Sequence, residues 1–373
     1  MERKLASIQR VRKVHQIKGA DNIVCVQING WECVAKKNEF IEGDLCVYFE
    51  VDSFLPNDQR YEFLKDLKTH QGKQGYRLRT IKLRGQISQG LALPLSMFPE
   101  IINPVELQDV TDILEVIKYD NSIAEMDNDN RLHIGRTKGK FPNFLKKTDQ
   151  ERIQNLTDWF DRYSGLEWEE TLKLDGSSMT CYKIKRELSL LDKIKKLFGV
   201  SVKPYIFGVC SRNLELKSTD NYSKTFDNNG KVSEYKQSDF WRAATKYQIE
   251  QYLPEGYAIQ GELIAPNIQS NHEKVSDIEF YVFDVFDIKN QEYLLPKDRV
   301  AFVAQYLPTV KHIPILGTVR IFTECKSVSE LLERVKGESM NTGTISEGRV
   351  YKSCCNGMSF KCINNEYLLK CEK

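Results

Sequence analysis

Residues 168–178 read WEETLKLDGSS, and this stretch decides how the rest of the chain is interpreted. The residues before Lys173 have the composition of a strand, and Asp175-Gly176 after it predicts a tight turn. A lysine at the end of a strand can sit in a pocket where neighbouring charge lowers its pKa enough to make the amine a nucleophile. The alternative is a surface lysine before an Asp-Gly turn, so this pattern alone is moderate evidence.

Further clusters follow Lys173 in a set order. They are CSRN with Arg212, GELI at 261–264 followed by Pro266, Ile268, Gln269 and Asn271, FYVFD at 280–284, EGRVYK at 347–352 and SFK at 359–361. In this order they resemble the motifs of the covalent nucleotidyltransferases, the superfamily of RNA ligases, DNA ligases and mRNA capping enzymes. The resemblance implies an ATP-grasp-like nucleotidyltransferase domain in which Lys173 forms a phosphoramidate with a nucleoside monophosphate.

The residue types suit that chemistry without the resemblance. Transfer from a triphosphate needs cations on the phosphates and carboxylates that hold Mg²⁺. The cations are Lys361, Lys352 and Arg212, and the carboxylates are Glu262, Glu347 and Asp175. The resemblance implies that Lys173, Lys361, Glu262 and Glu347 are catalytic. It also places Leu172 in the ATP site, and it implies that Mg²⁺ or Mn²⁺ is held largely through water.

Aromatic residues of the third cluster predict the base site. Phe283 has a face on which adenine can stack. Two alternatives stay open: Tyr281 and Phe283 as core aromatics, and Asp284 as a structural turn carboxylate. The last cluster departs from many relatives, which have a second lysine where this chain has Ile363. Lys370, near the end of the chain, is a candidate replacement.

The first 98 residues read as short strands separated by turns, which predicts a small all-β barrel. RKVHQIKGAD, GWECVAKKNEFIEGDLCVYFEVDSFLP and YRLRTIKLRGQISQGLALP resemble the OB-fold domain of Deinococcus and Naegleria-type RNA ligases, which precedes their catalytic domain. FPNFLKKTDQERIQN, residues 141–155, resembles the connector of the same family. By that resemblance Arg152, together with Lys146 and Lys147, lies near the phosphates of ATP or of an RNA 5′ end.

The expected fold class is therefore α+β, with an N-terminal OB-fold β-barrel before the nucleotidyltransferase (adenylyltransferase) domain. The expected boundaries are 1–115 for the OB domain, 116–150 for a linker that includes AEMDNDNRL, and 151–373 for the adenylation domain. A capped helix is predicted from TDQERIQNLTDWFDRYS. RELSLLDKIKKLFG predicts an inserted basic amphipathic helix near 184–204 that stops at Gly199.

Basic residues in the barrel are candidate RNA contacts. They are Arg77, Arg79, Lys82 and Arg84, and Tyr76 lies beside them. Such side chains bind nucleic acid by neutralising phosphates and by stacking on bases. If they occupied one regular strand, Arg77 and Arg79 would face one side, and Lys82 and Arg84 the other. It is more plausible that half of them are ordinary solvated surface.

The charge of the chain is uneven, although 54 basic and 52 acidic residues leave a net charge of only +2. Residues 1–98 carry 16 basic and 11 acidic residues, residues 99–135 carry 2 and 9, and residues 136–147 carry 5 and none. The ten cysteines lack metal-ligand spacing, which disfavours a structural zinc site. The start lacks a signal peptide's apolar core, so a protein of the reducing cytoplasm is expected. A monomer is also expected.

The resemblance implies an ATP-dependent RNA ligase that seals 3′-OH/5′-phosphate RNA ends, in particular nicks in RNA/RNA or RNA/DNA duplexes. The lysyl-AMP and the adenylylated RNA 5′ end would be its intermediates, and RNA repair its role. The alternatives are a capping-type guanylyltransferase, a DNA ligase, and a non-enzymatic RNA-binding protein on a decayed scaffold. The position of the OB domain and the GELIAP pattern favour the RNA ligase.

Overall fold

The computed structural model describes residues 3–119, 137–218, 225–226, 232–233 and 238–370. AEMDNDNRL, at 124–132 of the predicted linker, lies outside the described residues. Among the residues described, no helix is long and apolar enough to cross a membrane.

The described residues of the N-terminal part form eleven strands. They are β1 (Ala6–Gln16), β2 (Ile23–Ile28), β3 (Trp31–Lys36), β4 (Leu45–Phe49), β5 (Ser53–Pro56), β6 (Leu67–His70), β7 (Lys73–Arg77), β8 (Ile81–Leu83), β9 (Gln86–Ser88), β10 (Leu91–Pro94) and β11 (Ile117–Lys118). One sheet has the order β10-β4-β1-β2-β3, the other β11-β5-β7-β6, and all pairings in both are antiparallel. The expected all-β domain is confirmed.

Strand β4 shows how the barrel closes on two cores. Successive side chains of a strand point to opposite faces. Cys46 and Tyr48 accordingly enter the cluster around Trp31, while Val47 and Phe49 enter the cluster that holds Tyr61. Because both faces are buried, β4 reads as an unbroken apolar run instead of an alternating one.

The segment with the candidate RNA contacts is not one strand. Strand β7 ends at Arg77 and belongs to the second sheet, whereas β8 and β9 form a separate hairpin. The four basic residues therefore do not alternate between the two faces of one strand, and the predicted pairing of their faces is wrong. The chain leaves the extended pairing between residues 77 and 81.

The described residues of the C-terminal part form fifteen strands. They are β12 (Thr137–Lys140), β13 (Glu151–Arg152), β14 (Trp168–Lys173), β15 (Ser177–Lys185), β16 (Tyr205–Cys210), β17 (Leu214–Leu216), β18 (Thr225–Phe226), β19 (Val232–Ser233), β20 (Tyr257–Ile264), β21 (Glu279–Asp287), β22 (Glu292–Tyr293), β23 (Lys311–His312), β24 (Ile315–Val319), β25 (Gly348–Ser353) and β26 (Ser359–Ile363). The larger sheet runs β12-β17-β16-β15-β20-β21-β22, with β23 also on β21, and the other runs β13-β26-β25-β14-β24.

The helices flank these two sheets. They are α1 (Trp159–Arg162), α2 (Leu190–Leu197), α3 (Asp239–Lys246), α4 (Ile249–Tyr252), α5 (Pro296–Tyr306), α6 (Ile321–Glu324), α7 (Val328–Arg334) and α8 (Asn365–Lys370). The helix predicted in RELSLLDKIKKLFG is confirmed as α2: Ser189 caps its N-terminus, and Gly199 follows it with φ +76°. Its apolar residues, among them Leu190 and Leu197, are exposed.

The helix predicted for residues 148–164 is wrong. Glu151–Arg152 instead form β13, which pairs in parallel with β26, and only residues 159–162 are α-helical. Asn155 shows what competes with a helix here, because its side chain donates to Glu50 at 2.6 Å and accepts from the Trp31 indole at 2.5 Å. Tertiary contacts with the barrel outweigh the local helical pattern.

The same contacts join the barrel to the C-terminal part. The backbone N–H of Gly30 donates to the Gln154 carbonyl at 2.9 Å, and Gln89 donates to Asn365 of α8 at 3.2 Å. The barrel therefore packs on both the segment that enters the second part and the helix that ends it.

Candidate active site

The site is built where β14 ends and turns into β15. Lys173 is the last residue of β14, and the Asp175-Gly176 turn leads into β15. A Cβ on Gly176 would lie 2.5 Å from the Leu263 carbonyl oxygen and 3.0 Å from Cγ of Glu262. The turn thus lies directly against β20, and only glycine leaves room for Glu262 beside Lys173.

Lys173 is held by a carboxylate from another strand. Its Nζ lies 2.5 Å from Oε1 of Glu347. Glu347 directly precedes β25, and Gly348, the first residue of β25, pairs with Lys173 in the sheet. Burial lowers the pKa of Lys173, but Glu347, Glu262 and Asp175 together outweigh burial and raise it above its ordinary value.

The expectation that neighbouring charge lowers the pKa of Lys173 is therefore wrong for the protein without nucleotide and metal. The neighbours of Lys173 are carboxylates, and negative charge stabilises the ammonium form. The amine becomes a nucleophile only when the effect of these carboxylates is offset.

The three carboxylates also act on each other. Burial, and then repulsion from Glu347 and Asp175, raises the pKa of Glu262 to about 8 although Lys173 opposes the shift. Burial and Glu347 raise the pKa of Asp175 to about 6, while a hydrogen bond from Tyr367 and the charge of Lys173 oppose it. One cation thus neutralises only part of a cluster of three acids.

A divalent cation fits this surplus of negative charge. Oε2 of Glu347 is buried and has no hydrogen-bond partner, so it is free to accept from a metal-bound water. Within the described part of the chain, no group of three His, Cys, Asp or Glu side chains is close enough to ligate a metal directly. The arrangement suits an ion that keeps several of its waters, as Mg²⁺ does.

Phe283 and Lys352 form one wall of the site. Phe283, in β21, is half-buried beside Leu172, which is buried in β14. Lys352 Nζ lies 5.5 Å from the centre of the Phe283 ring and donates to the Phe283 carbonyl at 2.6 Å. The Asp284 carboxylate accepts from the same amine at 2.5 Å, and both side chains are buried. Asp284 is thus a strand residue that neutralises Lys352, not a turn residue.

The remaining cations converge on Asp149. Its Oδ1 accepts from Lys361 Nζ at 2.9 Å, and its Oδ2 accepts from Lys118 Nζ at 2.7 Å and from Arg212 Nη2 at 3.2 Å. Burial opposes ionisation of Asp149, yet Lys361, Lys118 and Arg212 hold its pKa well below the usual range. Burial lowers the pKa of Lys361 to about 8, although Asp149 raises it.

Arg152 lies beside this cluster in register with Lys361. Its Nη2 donates to Asp52 Oδ2 at 3.1 Å, but its Nε and Nη1 are buried without a partner. Unpaired buried N–H groups on a guanidinium are costly, and phosphate oxygens are suitable acceptors for them.

Three predicted positions have partners of their own in the folded chain. Lys146 donates to the Gln291 carbonyl and Lys147 to Asn213, so both anchor the connector. Lys370 is mostly exposed and lies 3.5 Å from Glu366, one turn earlier in α8. Tyr367, on the same helix, bonds to Asp175, so a role for Lys370 in place of Ile363 stays a prediction.

The four candidate RNA contacts differ in how far they are exposed. Lys82 and Arg84 are exposed on the β8–β9 hairpin, and Arg79 is half-exposed. Arg77 is buried, lies 3.9 Å from Asp52 and stacks 4.4 Å from the ring of Tyr119. Arg77 is therefore unavailable to RNA here, since its guanidinium is used inside the barrel.

Sequence reasoning missed Asp149, Lys118 and Tyr367. Asp149 stands in the connector stretch already singled out, between Lys147 and Arg152, and its position in a basic segment was the only available signal. Lys118 lies far from every cluster in sequence, whereas Tyr367 stands six residues after Lys361, but only the folded chain shows that both reach the site.

The site has the parts of a covalent nucleotidyltransferase. It combines a strand-end lysine among three carboxylates with an aromatic wall and a separate group of cations that can bind a phosphate group. Profiles of two families match the chain: an OB-fold domain over residues 5–95 and RNA ligase over residues 166–363. This chain therefore belongs to the RNA ligase family, with an N-terminal OB-fold domain and a ligase nucleotidyltransferase domain, as predicted.

Solved structures agree. A Naegleria gruberi RNA ligase variant with ATP and Mn is 37% identical, with a TM-score of 0.79 and 98% of each chain covered. The Naegleria gruberi RNA ligase with PPi is 38% identical at a TM-score of 0.80, again with 98% of each chain covered. A variant with AMP and Mn is 37% identical at 0.79, with the same coverage. A search of curated proteins found no significant match.

Proposed function

We propose that this enzyme is an ATP-dependent RNA ligase that joins 3′-OH and 5′-phosphate RNA ends, with nicks in duplexes as its substrate. The observation that carries the proposal is the amine of Lys173 at the end of β14, flanked by Glu347 and Glu262. Crystals of the related Naegleria gruberi enzyme with ATP and Mn, with AMP and Mn and with PPi support ATP and a divalent metal as its requirements.

The reaction has three displacements at phosphorus. In the first, Nζ of Lys173 loses a proton and attacks the α-phosphorus of ATP; an N–P bond forms, the bond to the β-phosphate oxygen breaks, and diphosphate leaves. In the second, an oxygen of the RNA 5′-phosphate attacks the same phosphorus and releases the lysine. In the third, the 3′-OH attacks the activated 5′-phosphate and expels AMP, which leaves a phosphodiester.

The carboxylates control the proton of Lys173. As long as Glu347, Glu262 and Asp175 are unshielded, they keep the amine protonated. When bound, Mg²⁺ or Mn²⁺ neutralises these carboxylates and stabilises charge on the phosphates. Glu347 would then hold a metal-bound water through its free Oε2, and Tyr367 would keep Asp175 in place by its hydrogen bond.

The other side chains would bind the nucleotide. Phe283 stacks on adenine, and Leu172 lines the base site. Lys352, which is oriented by Asp284, and Lys361 contact the α-phosphate and the leaving group. Arg212 and Arg152 contact the outer phosphates, and the two unpaired N–H groups of Arg152 support that role.

We extend the proposal to the domains and to RNA. Residues 1–115 form the OB-fold RNA-binding domain, 116–150 the connector and 151–373 the adenylation domain; β11, at residues 117–118, pairs with the OB sheet just beyond the first boundary. Lys82, Arg84 and Arg79 bind the RNA backbone by neutralising phosphates. A monomer acting in the cytoplasm in RNA repair completes the proposal.

Labelled ATP with Mg²⁺ tests the first step. The protein should acquire a covalent label that withstands alkali and is released by acid, as the N–P bond of a phosphoramidate is, and Lys173→Ala should abolish it; the absence of such a label would sink the proposal. Labelling by GTP instead of ATP would indicate a guanylyltransferase.

A panel of nicked duplexes with RNA or DNA on each side tests the later steps. Sealing should require RNA at the 3′-OH side, and efficient sealing of all-DNA nicks would indicate a DNA ligase. RNA binding that survives Lys173→Ala without any labelling of the wild-type protein would indicate a binding protein.

A further inference from the structure

Asp149 occupies the centre of the cation cluster in the way a phosphate group would. Lys361 from β26, Lys118 from β11 and Arg212 from the β16–β17 turn reach it from three separate parts of the fold. The contacts divide between its two oxygens, at 2.7–3.2 Å. A carboxylate surrounded by three cations has the charge and hydrogen-bond pattern of a bound phosphate.

The cluster has more positive charge than its own acids balance. Asp149 is shared by three cations, and Asp52, on the barrel side, lies within 4.0 Å of Arg3, Arg77 and Arg152. Arg3 also pairs with Glu50. Lys361, Lys118 and Arg212 share the carboxylate of Asp149, and this leaves positive charge for a polyanion.

The connector is anchored on both sides of Asp149. The chain before it is anchored at Lys146, whose carbonyl accepts from Gln260 and Tyr293. The chain after it is anchored by β13 in the sheet. The Asp149 side chain is still one-third exposed, at 32%. Displacement of the carboxylate would then take a change of its side-chain rotamer and no movement of the anchored backbone.

We propose that Asp149 is a positioning residue that substitutes for a phosphate group in the empty enzyme, holding Lys361, Arg212 and Lys118 in place until a substrate phosphate displaces it. This inference rests on the proposed function and adds Asp149 and Lys118 to it. Asp149 prevents the three cations from repelling one another and competes with phosphate for them. It therefore weakens phosphate binding, which helps a product to leave.

The chemistry requires a phosphate from one of two sources, the nucleotide or the RNA 5′ end. Binding is measured with the full chain carrying Lys173→Met, so that no adenylate forms and the result does not depend on the first step. One arm titrates inorganic pyrophosphate, and the other compares nicked RNA duplexes that carry a 5′-phosphate or a 5′-hydroxyl.

Asp149→Asn should bind the phosphate probe roughly tenfold more tightly, a usual size for the coupling between competing groups. Asp149→Glu should bind the phosphate probe about as tightly as the protein with Asp149. Asp158→Asn, at an exposed acid that pairs with Arg162, is the matched control. Lys118→Ala should weaken binding, whereas Lys336→Ala, at an exposed lysine, should not. Tightening with pyrophosphate identifies a nucleotide phosphate, and tightening only with the 5′-phosphate duplex identifies the RNA end.

If Asp149 were merely structural, the Asp149→Asn substitution would not increase the affinity for either probe. Weaker or unchanged binding of both probes by a folded Asp149→Asn protein would overturn the proposal. With Lys173 intact, Asp149→Asn should also lower the KM for ATP, whereas loss of a structural contact raises it or leaves it unchanged. If the variant does not fold, a crystal structure of the wild-type protein with pyrophosphate decides: Asp149 still bound to all three cations would contradict displacement.

Discussion

Lys173 and Glu347 are 174 residues apart in the chain and 2.5 Å apart in the site, joined by the pairing of β14 with β25. The nucleophile and its nearest acid are thus placed by sheet register. The same contact keeps the amine protonated, so the geometry that positions Lys173 also keeps it inactive until positive charge arrives at the carboxylates.

Glu347→Gln should lower the pKa of Lys173, because the amide no longer stabilises the ammonium form. Without ATP and metal, the midpoint of the pH dependence for acylation of Lys173 should move to lower pH. Peptide mapping by mass spectrometry measures this rate. Glu333→Gln, at an exposed acid paired with Lys336, is the control. A midpoint that stays in place or rises would contradict the role given to Glu347.

Lys361 should give phosphate binding a pH dependence of its own. Burial holds its pKa at about 8, so its charge is present below pH 8 and is lost as the pH rises through that value. Arginine keeps its charge throughout. The pyrophosphate affinity of the wild-type protein, divided by that of Lys361→Arg, should therefore fall above about pH 8. A ratio that does not change with pH would mean that Lys361 stays charged or does not contact the probe.

Gly176→Ala should disturb the turn after the nucleophile. The added Cβ would lie 2.5 Å from the Leu263 carbonyl oxygen, and overpacking of this kind costs about 1–3 kcal/mol. Urea unfolding and the rate of adenylylation should both show the loss. Gly139→Ala is the matched control, because its Cβ would meet no atom within 4 Å. Equal effects of the two substitutions would exclude the close approach as the cause.

Asp284→Ala should destabilise the fold by leaving Lys352 buried without its carboxylate. Removing one partner of a buried ion pair costs about 3–5 kcal/mol. The Asp284→Ala/Lys352→Met double variant should recover much of the lost free energy of unfolding, since no charge is then left unpaired. Denaturant titration of the two single variants and the double variant forms the cycle. Additive losses would show that the pair is not coupled.

Lys82→Ala combined with Arg84→Ala should weaken binding to a nicked RNA duplex and reduce its salt dependence, because both side chains are exposed and positive. Thermal stability should hardly change. Arg77→Ala should do the reverse, lowering the stability of the barrel through loss of its contacts with Asp52 and Tyr119. Equal effects of the two changes on the salt dependence would contradict this division.

The errors in the sequence predictions share a physical origin. The stretch TDQERIQNLTDWFDRYS has the local pattern of a helix. However, the backbone of Arg152 pairs with that of Lys361 in the sheet, and the Asn155 side chain bonds to Glu50 and Trp31. Arg77 has the residue type of an RNA contact, yet its guanidinium is buried. Local patterns are overridden where distant segments offer a better partner.

The sequence by itself determined the chemistry: which lysine, which acids and which aromatic stand in the order of a nucleotidyltransferase, and that a β-barrel precedes them. Only the tertiary structure decided the charge state and the partners of these groups. Protonation of Lys173, the neutralisation of Lys352 by Asp284 and the meeting of three cations at Asp149 depend on distances of 2.5–3.2 Å. Electrostatic energies change steeply over such distances and with burial, and residue order along the chain specifies neither.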